Sequence, residues 1–359
     1  MTIKDVAEYC GVSISTVSRV MNGHPDVREN VRAKVMAAIQ ELHYVPNNSA
    51  RDLVRPQTDT IGVVLRGAEN PFLMSVLRSI EQAVAAADYT MVLQQIGTDD
   101  DEVAAGASLI RSKRLRGLIL LGGSFDYTPE RTAALDVPFV CCSFTGSFSS
   151  LDKSQYSSVS IDDYAEAYRA VQLLICQGHR RIAVLLGSVQ DHSISELRYR
   201  GYCDALRAAG IELDPELVAE SGSFEMADVY TATQHLLERR SDITALFTIS
   251  DLMGIASIKA LHSAGRRVPE DCSVISIDGI EMTRYTVPTL TTLVQPRRQM
   301  GAEAVRILLD VLEERGPHTH IRLETALREG ETVGAPNIDF YASRRENIFQ
   351  YIAQTCENM

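Results

Sequence analysis

The sequence lacks any run of the roughly 18 uninterrupted apolar residues that a membrane span requires, so no segment reads as a transmembrane helix. Its start, Met1-Thr2-Ile3-Lys4-Asp5, has no basic stretch followed by an apolar one, and no secretory leader is expected. Cysteine is sparse: seven residues, an odd number without a CxxC pair, fit neither a disulfide scaffold nor a zinc site. Cys141 and Cys142 stand together in the apolar run Pro138 to Phe144, where buried free thiols are expected. Positive charge is also short, with a net charge of −12, which argues against broad adhesion to nucleic acid. The deficit is uneven, however, since residues 1–55 hold seven Lys/Arg against six Asp/Glu. A near-neutral head on an acidic body permits local DNA contact. Five lysines against thirty arginines imply no function. These absences predict a soluble cytosolic protein.

Catalytic signatures are missing too. There is no G-x-S-x-G elbow, no G-x-x-x-x-G-K-[ST] loop and no strand-linked G-x-G-x-x-G. Gly122-Gly123 after a strand offers a phosphate cradle or, more ordinarily, a turn. His318-Thr319-His320 has metal-binding residue types but no further ligand nearby in sequence. Asp99-Asp100-Asp101-Glu102 resembles half a cation site, yet acids opening a helix are favoured by its dipole alone. The expectation is no catalysis, no cofactor and no metal.

What is present is globular: 359 residues, 45% hydrophobic and 23% charged, enough for two or three domains. The first 45 residues read as helices only. Thr2 with Asp5 forms a capping-box pair, and Gly11 ends the first helix. Ser13 opens a second, with Val17, Val20 and Met21 on one side. Asn22-Gly23-His24-Pro25 is a turn cluster, and Val31, Val35, Ala38 and Leu42 mark a third helix ended by Tyr44-Val45-Pro46. Helix, glycine turn, helix is the geometry of a DNA reader. Val6, Ala7, Val12, Val17 and Val20 close its core, while Ile14, Ser15, Thr16 and Arg19 project outward, as base readers or as ordinary solvated positions.

From Ile61 the period changes. Strands are expected at Ile61–Leu65, Met91–Ile96, Gly117–Gly122, Arg181–Gly187, Ala245–Ile249 and Ser273–Asp278. Helices are expected at Phe72–Ala87, Glu102–Arg111, Ser195–Ala209 and Leu252–Ala264. Alternation of this kind means βαβ units and parallel sheets. The number of elements predicts two α/β lobes with a ligand cleft beyond the strand ends.

The runs TIKDVAEYCGVSISTVSRVMN and ELHYVPNNSARDL resemble the amino-terminal signature of the LacI/GalR family of bacterial transcription regulators. The resemblance continues through Ile61-Gly62-Val63-Val64, Gly178-His179-Arg180-Arg181-Ile182, Arg198-Tyr199-Arg200-Gly201-Tyr202 and Pro288-Thr289-Leu290-Thr291-Thr292, over about residues 1–337. It implies a helix-turn-helix DNA-binding domain at 1–46, a hinge helix and linker at 47–58, and a two-lobed α/β, periplasmic-binding-protein-like effector and dimerisation domain at 59–337. A tail follows at 338–359, either frayed or tetramerising. The implied protein is a homodimer on double-stranded operator DNA, a repressor of carbohydrate use released by a small sugar effector. A regulator gated by a nucleobase corepressor is the alternative within the family, and a solute-binding module without operator specificity the alternative outside it.

The resemblance also assigns residues. Ile14, Ser15, Thr16 and Arg19 face the groove, with Lys4, Asn22, Arg32 and Tyr44 on the DNA backbone. Asn47–Leu53 is the hinge helix, Ala50 facing the minor groove and Leu53 wedged into a base step; the alternative for Leu53 is packing on its own body. Arg28 stands where the family opens its third helix with serine. In the body the implied effector residues are Phe72, Arg198, Phe224, Ser250, Asp251, Asp278 and Gln295. A salt bridge is the alternative for Arg198 and Asp278, and core packing for Phe72 and Phe224. Ser250 departs from a common family asparagine.

Overall fold

A computed structural model of the 359-residue chain describes residues 2–21, 26–42, 59–98, 100–124, 126–145, 148–188 and 192–337. It divides into two compact units, one up to Thr58 and one from Asp59. The first holds helices α1 (Ile3–Cys10), α2 (Ile14–Met21) and α3 (Glu29–Glu41). The Thr2 N–H donates to the Asp5 carboxylate at 2.7 Å, tying down the start of α1. Gly11 ends α1 at φ 60°, the left-handed conformation that glycine adopts without strain. Ser13 Oγ accepts the Thr16 N–H at 3.2 Å and caps α2. Arg28 precedes α3 without a side-chain cap bond, since a guanidinium has no acceptor to offer. Val6, Ala7, Val17, Val20, Val35 and Ala38 form the core, with Val12 only partly buried. Cys10 belongs to it as well, which the apolar pattern had not shown.

The second unit is two lobes with one winding. Strands β1 (Thr60–Arg66), β2 (Thr90–Ile96), β3 (Gly117–Leu121), β4 (Phe139–Cys142) and β5 (Ser157–Ser160) build the first sheet, with β11 (His320–Arg322) at its edge. Its order is β11-β5-β4-β3-β1-β2, parallel throughout. Strands β6 (Ile182–Leu186), β7 (Val218–Glu220), β8 (Ala245–Thr248), β9 (Ser273–Asp278), β10 (Thr291–Val294) and β12 (Ala326–Arg328) build the second. There the order is β12-β10-β9-β8-β6-β7, with only β12 antiparallel. Central strands such as β1 and β3 are buried at successive positions, as strands covered on both faces must be. Cys141 and Cys142 in β4 are buried free thiols, and burial pushes the Cys142 thiol up to about 12.

Helices α4 (Pro71–Ala86), α5 (Glu102–Lys113) and the single turn α6 (Pro129–Thr132) cover the first sheet. The second carries α7 (Asp163–Cys176), α8 (Ile194–Ala208), α9 (Met226–Arg239) and α10 (Asp251–Ser263). Helix α11 (Arg297–Leu312) returns to pack on α4. The chain thus passes between lobes after β5, after β10 and between β11 and β12. Among the described residues no helix is long and apolar enough to cross a membrane.

Candidate DNA-reading head and effector junction

On α2, Ile14 is 43% exposed, Ser15 and Arg19 are exposed and Thr16 is half-buried. The Ser13 hydroxyl lies 2.8 Å from those of both Ser15 and Thr16. Lys4 is exposed on α1, and Arg32 on α3 lies 3.6 Å from Glu29. Asn22, Tyr44, Asn47, Ala50, Leu53 and the tail from residue 338 lie outside the described residues.

In the body, Arg198 projects from α8 and is 2% exposed. Its Nε and Nη2 donate to Asp163 Oδ1 at 2.9 and 2.7 Å, and Nη1 donates to the Ile249 carbonyl. Asp278 Oδ1 lies 3.9 Å away and accepts from Gln295 Nε2 at 2.9 Å. Asp163 begins α7, Ile249 follows β8, Asp278 ends β9 and Gln295 follows β10. Four segments therefore converge at the carboxyl ends of parallel strands, where the chain changes lobes, the usual place for a ligand. Burial pushes the Asp278 carboxyl up to about 7, with Arg198 opposing the shift and Asp251 adding to it. The turn there is tight: Asp278 has φ 139° and Gly279 φ 75°. A Cβ on Gly279 would stand 2.6 Å from Val294 Cγ1, so only glycine passes.

Phe224 is half-buried against Gly187, just past the carboxyl end of β6. A Cβ on Gly187 would stand 3.2 Å from both Phe224 Cε2 and Ser195 Oγ, so ring and hydroxyl flank that bare backbone. Ser195, one turn before Arg198, is fully buried and its Oγ has no hydrogen-bond partner. Three other expected residues lie buried near strand or helix ends. Phe72 is 2% exposed in the first-lobe core. Ser250 caps α10, accepting the Met253 N–H at 3.4 Å. Asp251 accepts from the Ser276 hydroxyl, from Thr292 Oγ1 at 2.6 Å and from the Ile280 N–H at 2.7 Å, which ties β9 to β10. Arg198 is thus ion-paired, with Asp163 as its principal partner. Sequence reasoning missed Asp163 and Ser195. The doubled acid Asp162-Asp163 after a strand was the available signal, one residue capping α7 through the Ala165 N–H and the next left for a partner.

The first lobe holds a different polar cluster. Glu102, 1% exposed, accepts from the Ser124 N–H at 2.8 Å, the Ser124 hydroxyl at 3.1 Å and the Tyr127 hydroxyl at 2.6 Å. Asp101 caps α5 and Asp100 holds the Gly97 N–H, so these two acids serve local structure. A Cβ on Gly123 would stand 2.8 Å from Glu102 Oε1, so a carboxylate occupies the place a phosphate cradle would need. His318 and His320 pair with the hydroxyls of Ser157 and Ser158.

A helix-turn-helix unit followed in the chain by a two-lobed α/β unit is the organisation of a DNA-binding transcription regulator. Residues 2–47 match the model described as bacterial regulatory proteins, lacI family, and residues 171–333 match the periplasmic binding protein-like domain. The HTH-type transcriptional regulator MalR of Clostridium butyricum is 38% identical over 340 residues, covering 92% of this chain and 99% of its own. CelR of Thermobifida fusca is 35% identical over 340 residues, covering 92% and 98%. The repressor PurR of Pectobacterium carotovorum is 34% identical over 346 residues, covering 94% and 99%. Among solved structures, a CelR–cellobiose complex superposes with TM-score 0.68 at 31% identity, covering 93% of this chain and all of that one. The Lac repressor dimer bound to operator superposes with TM-score 0.79 at 25% identity, covering 93% and 99%. The chain belongs to the LacI family of bacterial transcription regulators.

Proposed function

We propose that the protein represses a carbohydrate-utilisation operon and is released when a small neutral sugar enters the lobe junction. The observation that carries this reading is the charge balance around Arg198, where two buried carboxylates, Asp163 and Asp278, face one guanidinium. Surplus acceptors suit the hydroxyl donors of a sugar and repel an anion. Phe224 offers a ring for an apolar sugar face, and the Ser195 hydroxyl needs a partner. Gln295 orients Asp278, while Phe72, Ser250 and Asp251 support the wall from behind. The names MalR and CelR, and the cellobiose in one relative's structure, support a sugar. The similarity to PurR supports the second reading, a nucleobase corepressor stacked on Phe224 and bonded by Asp278 and Gln295.

At the DNA, Ile14, Ser15, Thr16 and Arg19 read the major groove, and Lys4, Asn22, Arg32 and Tyr44 hold the backbone. Asn47, Ala50 and Leu53 enter the minor groove, Leu53 as an apolar wedge. The active species is a homodimer. Tyr285 is 78% exposed and Val287 94%, an apolar surface that a second copy would cover. Ligand and operator then weaken each other's binding by one common factor, as linkage requires.

The test is a gel shift on the DNA upstream of the protein's own gene. Thr16→Ala and Arg19→Ala should each weaken specific retardation by about 1–3 kcal/mol. Release by a mono- or disaccharide is the expected outcome, whereas retardation tightened by a purine base establishes the second reading. Sequence-independent retardation that neither variant alters would defeat both.

A further inference from the structure

Between β4 and β5 the first lobe sends out a loop whose Phe148 lies against the second lobe. Its ring centroid is 4.9 Å from that of His192, and the Arg200 guanidinium carbon sits 5.2 Å from it on the ring face. His192 stands just before the Ser193 cap of α8, and Glu196 and Arg200 follow one turn apart in its first turns. His192 Nδ1 lies 2.9 Å from Glu196 Oε2, and Arg200 donates to Glu196 Oε1, so the three form one ladder under the ring. Ile194 and Leu197 of the same helix pack, with Phe148, against the first lobe's own apolar cluster.

The loop is anchored on its own side. Ser149 Oγ and the Ser150 N–H both donate to the Tyr127 carbonyl, at 2.6 and 3.0 Å. The Tyr127 hydroxyl donates in turn to buried Glu102 at 2.6 Å. Leu197 and Arg198 are adjacent in α8, so the turn that Phe148 grips is also the turn that carries the junction arginine.

We propose that Phe148 is an inter-lobe clasp, an aromatic plug from the first lobe seated on the His192–Glu196–Arg200 ladder of the second, which sets the fraction of molecules whose lobes are together. The clasp does not depend on which effector the junction takes. A ring under a guanidinium and an imidazole gains both apolar burial and a cation–π attraction. Any ligand gripped by both lobes binds only the joined arrangement, so its apparent affinity scales with that fraction.

The full-length chain contains no tryptophan, so Phe148→Trp introduces a single indole. Acrylamide should quench it about threefold less than in the triple variant that adds His192→Ala and Arg200→Ala, the shielding expected of a ring stacked under a cation. Equal quenching in the two proteins would overturn the seating. Hydrogen exchange on Phe148→Ala then reads lobe opening at the crossovers. The Gln295 N–H, bonded to the Asp278 carbonyl at 3.1 Å, and the Leu323 N–H, bonded to that of Ser160 at 2.8 Å, should exchange about tenfold faster than in the parent while β3 keeps its protection. Acceleration confined to the loop itself would reduce Phe148 to local packing and overturn the proposal. If β3 also loses protection, Phe148→Leu, which keeps apolar bulk but not the ring face, is read at the same two amides. There a faster exchange supports the clasp and an unchanged one overturns it.

Discussion

The two lobes share one winding and differ in what they place at its strand ends. β4 and β9 occupy the same position in their sheets, yet β4 ends in Cys142 and β9 in Asp278. The connection that is one turn in the first lobe, α6, is the long helix α10 in the second. Each lobe buries an acidic cluster, but the accounts close differently. Around Glu102, two hydroxyls and a backbone N–H satisfy the carboxylate, and Arg66 stays at 3.7 Å. Around Arg198, two acids compete for one guanidinium and a neighbouring serine hydroxyl has no partner. A closed network rigidifies; an unbalanced one is prepared for a guest. Under the proposed function, the Glu102 cluster of the first lobe is frame and the Arg198 cluster of the second is sensor.

The largest expected effect tests the pair that closes the sensor. Asp163→Ala leaves the buried Arg198 guanidinium without its principal acceptor and should destabilise the body by about 3–5 kcal/mol, measured by urea denaturation. Replacing both partners, Asp163→Leu with Arg198→Met, should recover much of that loss while abolishing effector binding. If the double variant is as unstable as the single, the pair is holding the lobe through packing and not through charge.

Glu102→Gln is the matching change in the frame. The amide keeps one acceptor for Ser124 and Tyr127 but turns its NH2 toward Arg66, so a loss of about 1–3 kcal/mol is expected. Effector affinity should stay near the parent's. A loss of binding as large as that from Arg198→Ala would erase the distinction between frame and sensor.

The contrast between lobes was only half legible in the sequence. The head was readable because its signals are local: Thr2, Gly11 and Ser13 each act within four residues, and the small core repeats at helical spacing. Central strands such as β1 and β6 announced themselves as short β-branched and leucine runs, and their alternation with helices implied parallel sheets. The three lobe crossings did not, because each is a short polar stretch whose meaning depends on which sheet the next strand joins. Asp163 was invisible for the same reason: its partner stands 35 positions away, and no local pattern separates it from Asp162, which merely caps α7. Asp278 and Gln295 came from the family resemblance, and only the fold shows that they bond each other.

The smallest expected effect is also the most specific to the sensor. Burial holds the Asp278 carboxyl near 7, well above the ordinary aspartate value of about 3.9. Between those values the native state binds more protons than the unfolded chain, so this group makes stability fall as pH rises from about 4 to about 7 and level off above. Asp278→Asn cannot ionise and should lose that part of the slope. Asparagine offers one acceptor where the carboxylate offers two to Gln295 and Arg198, which offsets part of the gain. The net stabilisation at pH 8 is then on the order of 1 kcal/mol, vanishing toward pH 4. Ligand binding should carry the opposite sign, because sugar hydroxyls donate to the ionised form. Effector affinity in the parent should rise as pH passes through about 7, and in Asp278→Asn it should be weak and flat. Parallel stability curves for variant and parent from pH 4 to pH 8 would mean that Asp278 stays ionised throughout, and the acid surplus around Arg198 would then be permanent instead of switched by pH.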